Sequence, residues 1–202
     1  GIEGNGQKEA MEILTGNRKA ESGSVFYKGK DLTKLSITDN RKLGIAHVPE
    51  DRNLNGCAPE MSVRDNLIAT SLKRLSGKGS KTMNLDISIK SLSGGNVQKA
   101  IVAREFTAGA EIIVLNQPTR GVDVGAMEFI HKKILEMRDE KKSLILVSAD
   151  LTELRALSDR IIVFHQGKVA GVINDVPAAT EEELGLYMLG LKEDPAEKLQ
   201  EA

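Results

Sequence analysis

Short apolar runs alternate with stretches in which apolar residues recur at helical spacing, and this alternation continues over most of the chain. Met11, Ile13 and Leu14 place a helix directly after a glycine-rich loop, with Gly16 as its stop. Ser24 to Tyr27 reads as a strand, and Lys28-Gly29-Lys30 as a tight turn. Ser36 to Leu43 reads as a short helix with Thr38 and Asp39 as candidate caps. Ile45 to Val48 is an apolar strand ended by Pro49, and a polar loop follows from Glu50 to Glu60. Ser62 opens a helix, with Asp65 completing a variant of the capping box. Leu75 to Met83 has no periodicity and reads as a flexible connection. Gln98 to Phe106 predicts a helix with Ala100, Ile101 and Ala103 inward. Ile112 to Leu115 and Ser143 to Ser148 predict strands buried on both faces. Between them, Val124 to Arg138 is a long amphipathic helix. Leu151 to Leu157 predicts a helix and Ile161 to Phe164 a strand, and Gln166-Gly167 turns the chain into Lys168 to Gly171. From Thr180 onward the pattern is helical and increasingly polar, with a frayed end. Strand and helix in alternation imply an α/β fold with a largely parallel sheet, covered on both faces.

Composition narrows the functional classes. The length of 202 residues suits one domain, or one large domain with a small appendage. With 28% charged residues and a net charge of −1, the chain is neither an electrostatic nucleic-acid binder nor an acidic tail. No apolar run approaches the ~18–20 residues of a membrane span, and no secretory signal pattern opens the chain. Cys57 is the single cysteine, which excludes a disulfide framework and a cysteine zinc site and fits a reducing cytosol. Trp is absent, and aromatics are limited to two Tyr and four Phe, so aliphatic side chains must carry the core.

The opening loop, Gly1-Ile2-Glu3-Gly4-Asn5-Gly6-Gln7-Lys8-Glu9, has the glycine spacing of a phosphate-binding loop before a helix. In such a loop backbone N–H groups and the helix N-terminus cradle phosphates, a Lys neutralises them, and a hydroxyl holds Mg²⁺. Here Gln7 stands at the Lys position and Lys8 at the hydroxyl position, so the point charge is displaced and the magnesium ligand is lost. A plain glycine-rich turn is the bland alternative. A dinucleotide fingerprint is the other, but its third glycine is replaced by Glu9. A strand is expected before such a loop, so the chain is expected to be part of a longer protein.

Leu92-Ser93-Gly94-Gly95-Asn96-Val97-Gln98-Lys99 is the most specific stretch. Two glycines at a helix start let N–H groups approach an anion closely. Ser93 adds a hydroxyl donor, and the helix dipole favours negative charge. This stretch resembles the signature motif of ABC ATPases.

Further stretches extend the resemblance. Ile112 to Leu115 followed by Asn116-Gln117-Pro118-Thr119-Arg120-Gly121-Val122-Asp123 resembles the Walker B strand and D-loop of that family, with Val122 and Asp123 in the D-loop. The resemblance implies an acid at position 116 to hold magnesium and an acid at 117 to polarise the attacking water. Asn116 and Gln117 are uncharged amides. Ala149 stands where the family carries a His that senses the γ-phosphate, and Glu50 in Val48-Pro49-Glu50-Asp51-Arg52 takes the Gln of the Q-loop.

The resemblance covers nearly the full chain and is narrowest to the second half of tandem ATPase subunits of sugar and nucleoside importers. It implies a RecA-like P-loop NTPase fold of three layers, with a shortened helical subdomain bearing the signature. The expected boundaries are 1–65 and 96–175 for the core, 66–95 for the helical subdomain, and 176–202 for a C-terminal helix and tail. The strands before residue 1 and part of the helical subdomain are missing against the family pattern, so Ser76 to Met83 is expected to join two pieces. The implied ligands are ATP and, through the partner half, Mg²⁺. The implied partners are a second ATPase half, a transmembrane permease and a solute-binding protein, with no nucleic acid, at the cytoplasmic face of the membrane. Family sites take Walker residues from one half and the signature from the other. Ser93, Gly94, Gly95, Asn96 and Gln98 are therefore expected to serve the partner's nucleotide. Gly4, Asn5, Gly6, Gln7, Lys8 and Glu9 are expected to form a degenerate loop that holds nucleotide weakly. The other readings weighed are a soluble ABC ATPase without a membrane partner, a structural or regulatory module, and a dehydrogenase that lacks its fingerprint. The near-neutral charge counts against nucleic acid as a partner of the first.

Overall fold

The computed structural model describes residues 4–70 and 85–200. The Leu75–Met83 connection and the first three residues of the opening loop lie outside them. The chain divides into two compact units, Gly1–Leu35 with Leu146–Ala202, and Ser36–Ile145.

The second unit is built on a parallel strand pair. Strand β3 (Ile45–Val48) lies beside β4 (Ile112–Asn116), with Ile45 opposite Ile112 and Val48 opposite Leu115. Strand β5 (Ser143–Val147) follows in the order β3-β4-β5, and its last residues count with the first unit. Ala46, Val48, Ile113, Val114 and Leu115 are fully buried, as continuous apolar strands require. Leu144 to Val147 are only half-buried. Among the described strands β5 is the outer one of this sheet, and the expectation of burial on both faces fails there.

Among the described residues, α2 (Ile37–Lys42), α3 (Val63–Ile68) and α5 (Val124–Asp139) belong to this unit, with α4 (Gly94–Phe106) packed on both β3 and α5. Ser36, not Thr38 or Asp39, caps α2: its hydroxyl oxygen accepts from the Asp39 N–H, and the hydroxyl donates to the Asp39 carboxylate. Ser62 caps α3 in the predicted way, accepting from the Asp65 N–H at 3.1 Å. Helix α4 begins at Gly94, four residues earlier than periodicity suggested, because glycines blur the apolar pattern. Its inward face carries Val97, Ile101 and Val102, while Ala103 is exposed and Ala100 half-buried. The loop after Pro49 is not wholly irregular, since Arg52–Gly56 forms one wide π turn capped by Asp51.

A buried ionic cluster ties these parts together. Glu105 on α4 is fully buried; its carboxylate receives two hydrogen bonds from Arg41, at 3.0 and 3.1 Å, and one from Arg104 Nε at 2.8 Å. Arg104 also donates to the carbonyl of Gly56 at 2.8 Å, closing the π turn against the helix.

The first unit holds helix α1 (Gln7–Thr15), which ends at Gly16, and a two-residue hairpin, β1 (Phe26–Tyr27) with β2 (Lys30–Asp31). Ser24 and Val25 precede that strand, so it is shorter than predicted. Helix α6 (Leu151–Leu157) leads into an antiparallel hairpin, β6 (Ile161–His165) and β7 (Lys168–Ile173), turning at Gln166-Gly167 as the sequence predicts. The helical tail is two helices, α7 (Glu181–Met188) and α8 (Ala196–Gln200). Asp194, between them, is the knot: it accepts from the Val172 N–H, the Tyr187 hydroxyl and the Lys198 ammonium, each at 2.8 Å.

Burial pushes the Asp194 carboxyl up, but those three hydrogen bonds outweigh it and hold the group below the ordinary carboxylate value. A depressed carboxyl stabilises the fold above its unfolded value of about 4 and loses that contribution as pH falls through the folded value. Asp194→Asn should therefore lower the melting temperature at pH 7, and the gap to the unchanged protein should narrow by pH 3. Equal gaps at both pH values would contradict this.

Candidate functional site: the signature helix and the loops beside it

Parallel pairing brings the carboxyl ends of β3 and β4 side by side, so the segments leaving them, Pro49–Gly56 and Gln117–Asp123, meet at one edge of the second unit. The start of α4 joins them. Ser93 is the N-cap of α4, with its Oγ accepting from the Asn96 N–H at 3.4 Å. An oxygen that accepts this bond keeps its own proton to donate. Ser93 and Asn96 are exposed. Gly94 and Gly95 occupy the first turn, where N–H groups have no partner within the helix.

Both glycines lie in close packing, where a Cβ would force its neighbour to move. A Cβ on Gly94 would lie 2.6 Å from Arg52 Nη2, and one on Gly95 would lie 2.5 Å from Asp123 Oδ2. Asp123 in turn caps α5, its Oδ1 accepting from the Ala126 N–H at 2.8 Å. Arg52 donates to the carbonyls of Arg120 at 2.9 Å and Gly121 at 3.2 Å. Glu50 pairs with Arg120. Gln98, 2% exposed, donates its amide to the Pro118 carbonyl at 2.8 Å. Its side chain thus works inward, on the segment that ends at Val122 and Asp123.

Asn116 ends β4 and is 8% exposed. Gln117 has φ of 51°, a left-handed conformation uncommon for a side-chain-bearing residue, and its carbonyl accepts from the Arg120 N–H at 3.1 Å. Neutral amides at these two positions supply carbonyl-type oxygens without charge. A hard divalent cation prefers carboxylates, so this donor set does not suit Mg²⁺.

The first unit carries the opening loop and Ala149. Gly6 precedes α1 with φ of 102°, and no side chain caps the helix. Asn5 is committed to the β6–β7 turn: its Oδ1 accepts from the Gln166 N–H at 2.8 Å and its carbonyl from the Gly167 N–H at 3.0 Å. Gln7 is half-buried, and Lys8 and Glu9 are exposed. Ala149 is exposed, directly before the α6 cap Asp150, whose carboxylate accepts from the Thr152 and Glu153 N–H groups.

Sequence reading singled out Ser93 to Gln98 and Val122-Asp123 but gave Arg52 and Arg120 no role. Their partners are backbone carbonyls and a carboxylate some 68 to 70 positions away, which no local pattern marks.

Comparison with known proteins places the chain in a family and a fold. The ABC transporter family model matches residues 1–120. The nucleoside import ATP-binding protein NupA of Lactococcus lactis subsp. cremoris is 37% identical over 94% of this chain and 42% of its own length. The guanosine import ATP-binding protein NupO of Bacillus subtilis is 36% identical over 98% of this chain and 43% of its own. The xylose import ATP-binding protein XylG of Photobacterium profundum is 40% identical over 87% and 39%. The chain spans less than half the length of these relatives. Among solved structures, an ATP-binding subunit of an ABC transporter superposes with a TM-score of 0.76 at 17% identity, covering 93% of this chain and 85% of that one. An ATP-binding cassette in its ADP conformation gives 0.67 at 20%, covering 98% and 83%. The chain belongs to the ABC transporter family and has the α/β P-loop NTPase fold of its ATP-binding domains. Among the described residues, no helix is long and apolar enough to cross a membrane.

Proposed function

We propose that this chain is the second ATPase half of a tandem energy-coupling subunit of an ABC importer for simple sugars or nucleosides. It works at the cytoplasmic face of the membrane with a permease and a solute-binding protein. The single observation that carries the reading is the presented signature: Ser93 and Asn96 exposed, with Gly94 and Gly95 in the first turn of α4 and the D-loop braced beside them. Ser93, Gly94, Gly95 and Asn96 contact the phosphates of ATP held by the partner half. Gln98, Val122 and Asp123 keep the D-loop in register with them. Mg²⁺ comes with the partner's Walker residues.

The site on this half's own loop is degenerate. Gly4, Gly6 and the first turn of α1 keep a backbone cradle for phosphate, with Lys8 and Glu9 beside it. Gln7, Asn116, Gln117 and Ala149 replace the groups that neutralise, chelate, polarise and sense, and Glu50 bonds to Arg120 in place of a Gln. We assign 1–65 and 96–175 to the RecA-like core, 66–95 to the signature subdomain and 176–202 to the C-terminal tail. What supports the nucleoside branch is the likeness to NupA and NupO alongside the sugar importers.

Removing one general base or charge-stabilising donor costs about two to four orders of magnitude in rate. The purified chain alone should therefore show no ATP turnover above background. Steady turnover at rates ordinary for the family would contradict the degenerate site.

A further inference from the structure

Arg52 belongs to none of the motif roles described above, yet three functional segments of the second unit converge on it. Its side chain leaves the π turn that follows Glu50, passes so close to Gly94 that a Cβ there would push the guanidinium aside, and gives hydrogen bonds to two consecutive D-loop carbonyls, Arg120 and Gly121. The planar guanidinium suits this task, since its fixed fork of donors reaches two carbonyls at once, where an ammonium is a single point. The Glu50–Arg120 pair closes the bracket from the other side.

We propose that Arg52 is a positioning residue that locks the D-loop to the start of the signature helix, so that both meet the partner half's nucleotide as one surface. The inference rests on the reading that this signature serves the partner's ATP. Glycine at 94 is what lets the guanidinium lie there. Movement of the Glu50–Arg52 segment is transmitted to the D-loop and signature together.

Arg52 touches no nucleotide in this scheme. Its loss should leave ATP affinity of the partner half alone and slow only the turnover that needs both halves. The test uses the complete two-half protein. In Arg52→Ala, kcat for ATP should fall at least ~10-fold, while nucleotide Kd, measured by fluorescence without turnover, stays within about twofold. Arg52→Lys should recover part of the lost kcat, since one donor can still reach one carbonyl. Gly94→Ala displaces the guanidinium, the far end of a flexible side chain. Added to Arg52→Ala, it should lower kcat much less than it does with Arg52 present.

Ser93→Arg is the control for the underlying reading. If it stops turnover while Arg52→Ala keeps kcat within twofold of the unchanged protein, the positioning role is wrong. If Arg52→Ala raises Kd as much as it lowers kcat, and Arg52→Lys is no better, Arg52 is only a structural strut and the proposal fails. If Ser93→Arg itself leaves turnover unchanged, the reading of the signature fails first.

Discussion

Glu105→Ala should destabilise the second unit by about 3–5 kcal/mol, among the largest losses open to a single substitution in this chain. Glu105 is fully buried and is the common acceptor of Arg41 and Arg104. Removing it leaves the Arg104 guanidinium, 9% exposed, inside the unit facing the neutral carbonyls of Gly56 and Asn66. A buried charge without its counter-charge carries the full desolvation penalty, which far exceeds the net worth of an ordinary hydrogen bond. Urea unfolding followed by circular dichroism measures the loss as a lowered midpoint. Replacing Arg41, Arg104 and Glu105 together by apolar residues of similar volume should cost less than Glu105→Ala alone, because no orphan charge remains. A single-variant loss below about 1 kcal/mol would contradict this account of the cluster.

The second large effect is on catalysis. Ser93→Arg, in the protein carrying both halves, should lower ATP turnover by at least ~100-fold. Ser93 is exposed at the tip of α4, where a long side chain would occupy the approach to the first-turn N–H groups. The lost helix cap costs only about 1 kcal/mol, so the protein remains folded while turnover stops. Ser93→Ala separates the two causes. It removes the cap and the hydroxyl but adds no bulk, and its loss of turnover should be several-fold smaller. Equal effects of the two variants would mean that the hydroxyl, not the open approach to the first turn, matters.

The start of α4 was legible because its chemistry is local: a hydroxyl and two glycines in sequence suffice to describe a capped helix start with an open first turn. The amides at Asn116 and Gln117 were legible for the same reason, sitting where an apolar strand ends. Tertiary partners were not. Arg52 bonds to carbonyls, which every residue carries, and Asn5 bonds to backbone N–H groups more than 160 positions away. Helical periodicity chose Ala103 over Val102 as an inward residue, because an apolar alanine reads like core whichever way it faces. Three cap formers crowd the start of α2, and only the observed bond to the Asp39 N–H singles out Ser36. The extent of burial in β5 was also out of reach, since it depends on where a strand lies in the sheet.

The central claim is that this half lends its signature to another half's ATP and does not hydrolyse ATP on its own loop. The most direct measurement is the rate of phosphate release when this chain is titrated into a fixed amount of a partner half with an intact Walker Lys and Asp–Glu pair. The account predicts no release from this chain alone and a rate that rises and levels off at one copy of this chain per partner. Phosphate release by this chain alone at the rate of the mixture, or a mixture no faster than its parts, would contradict it.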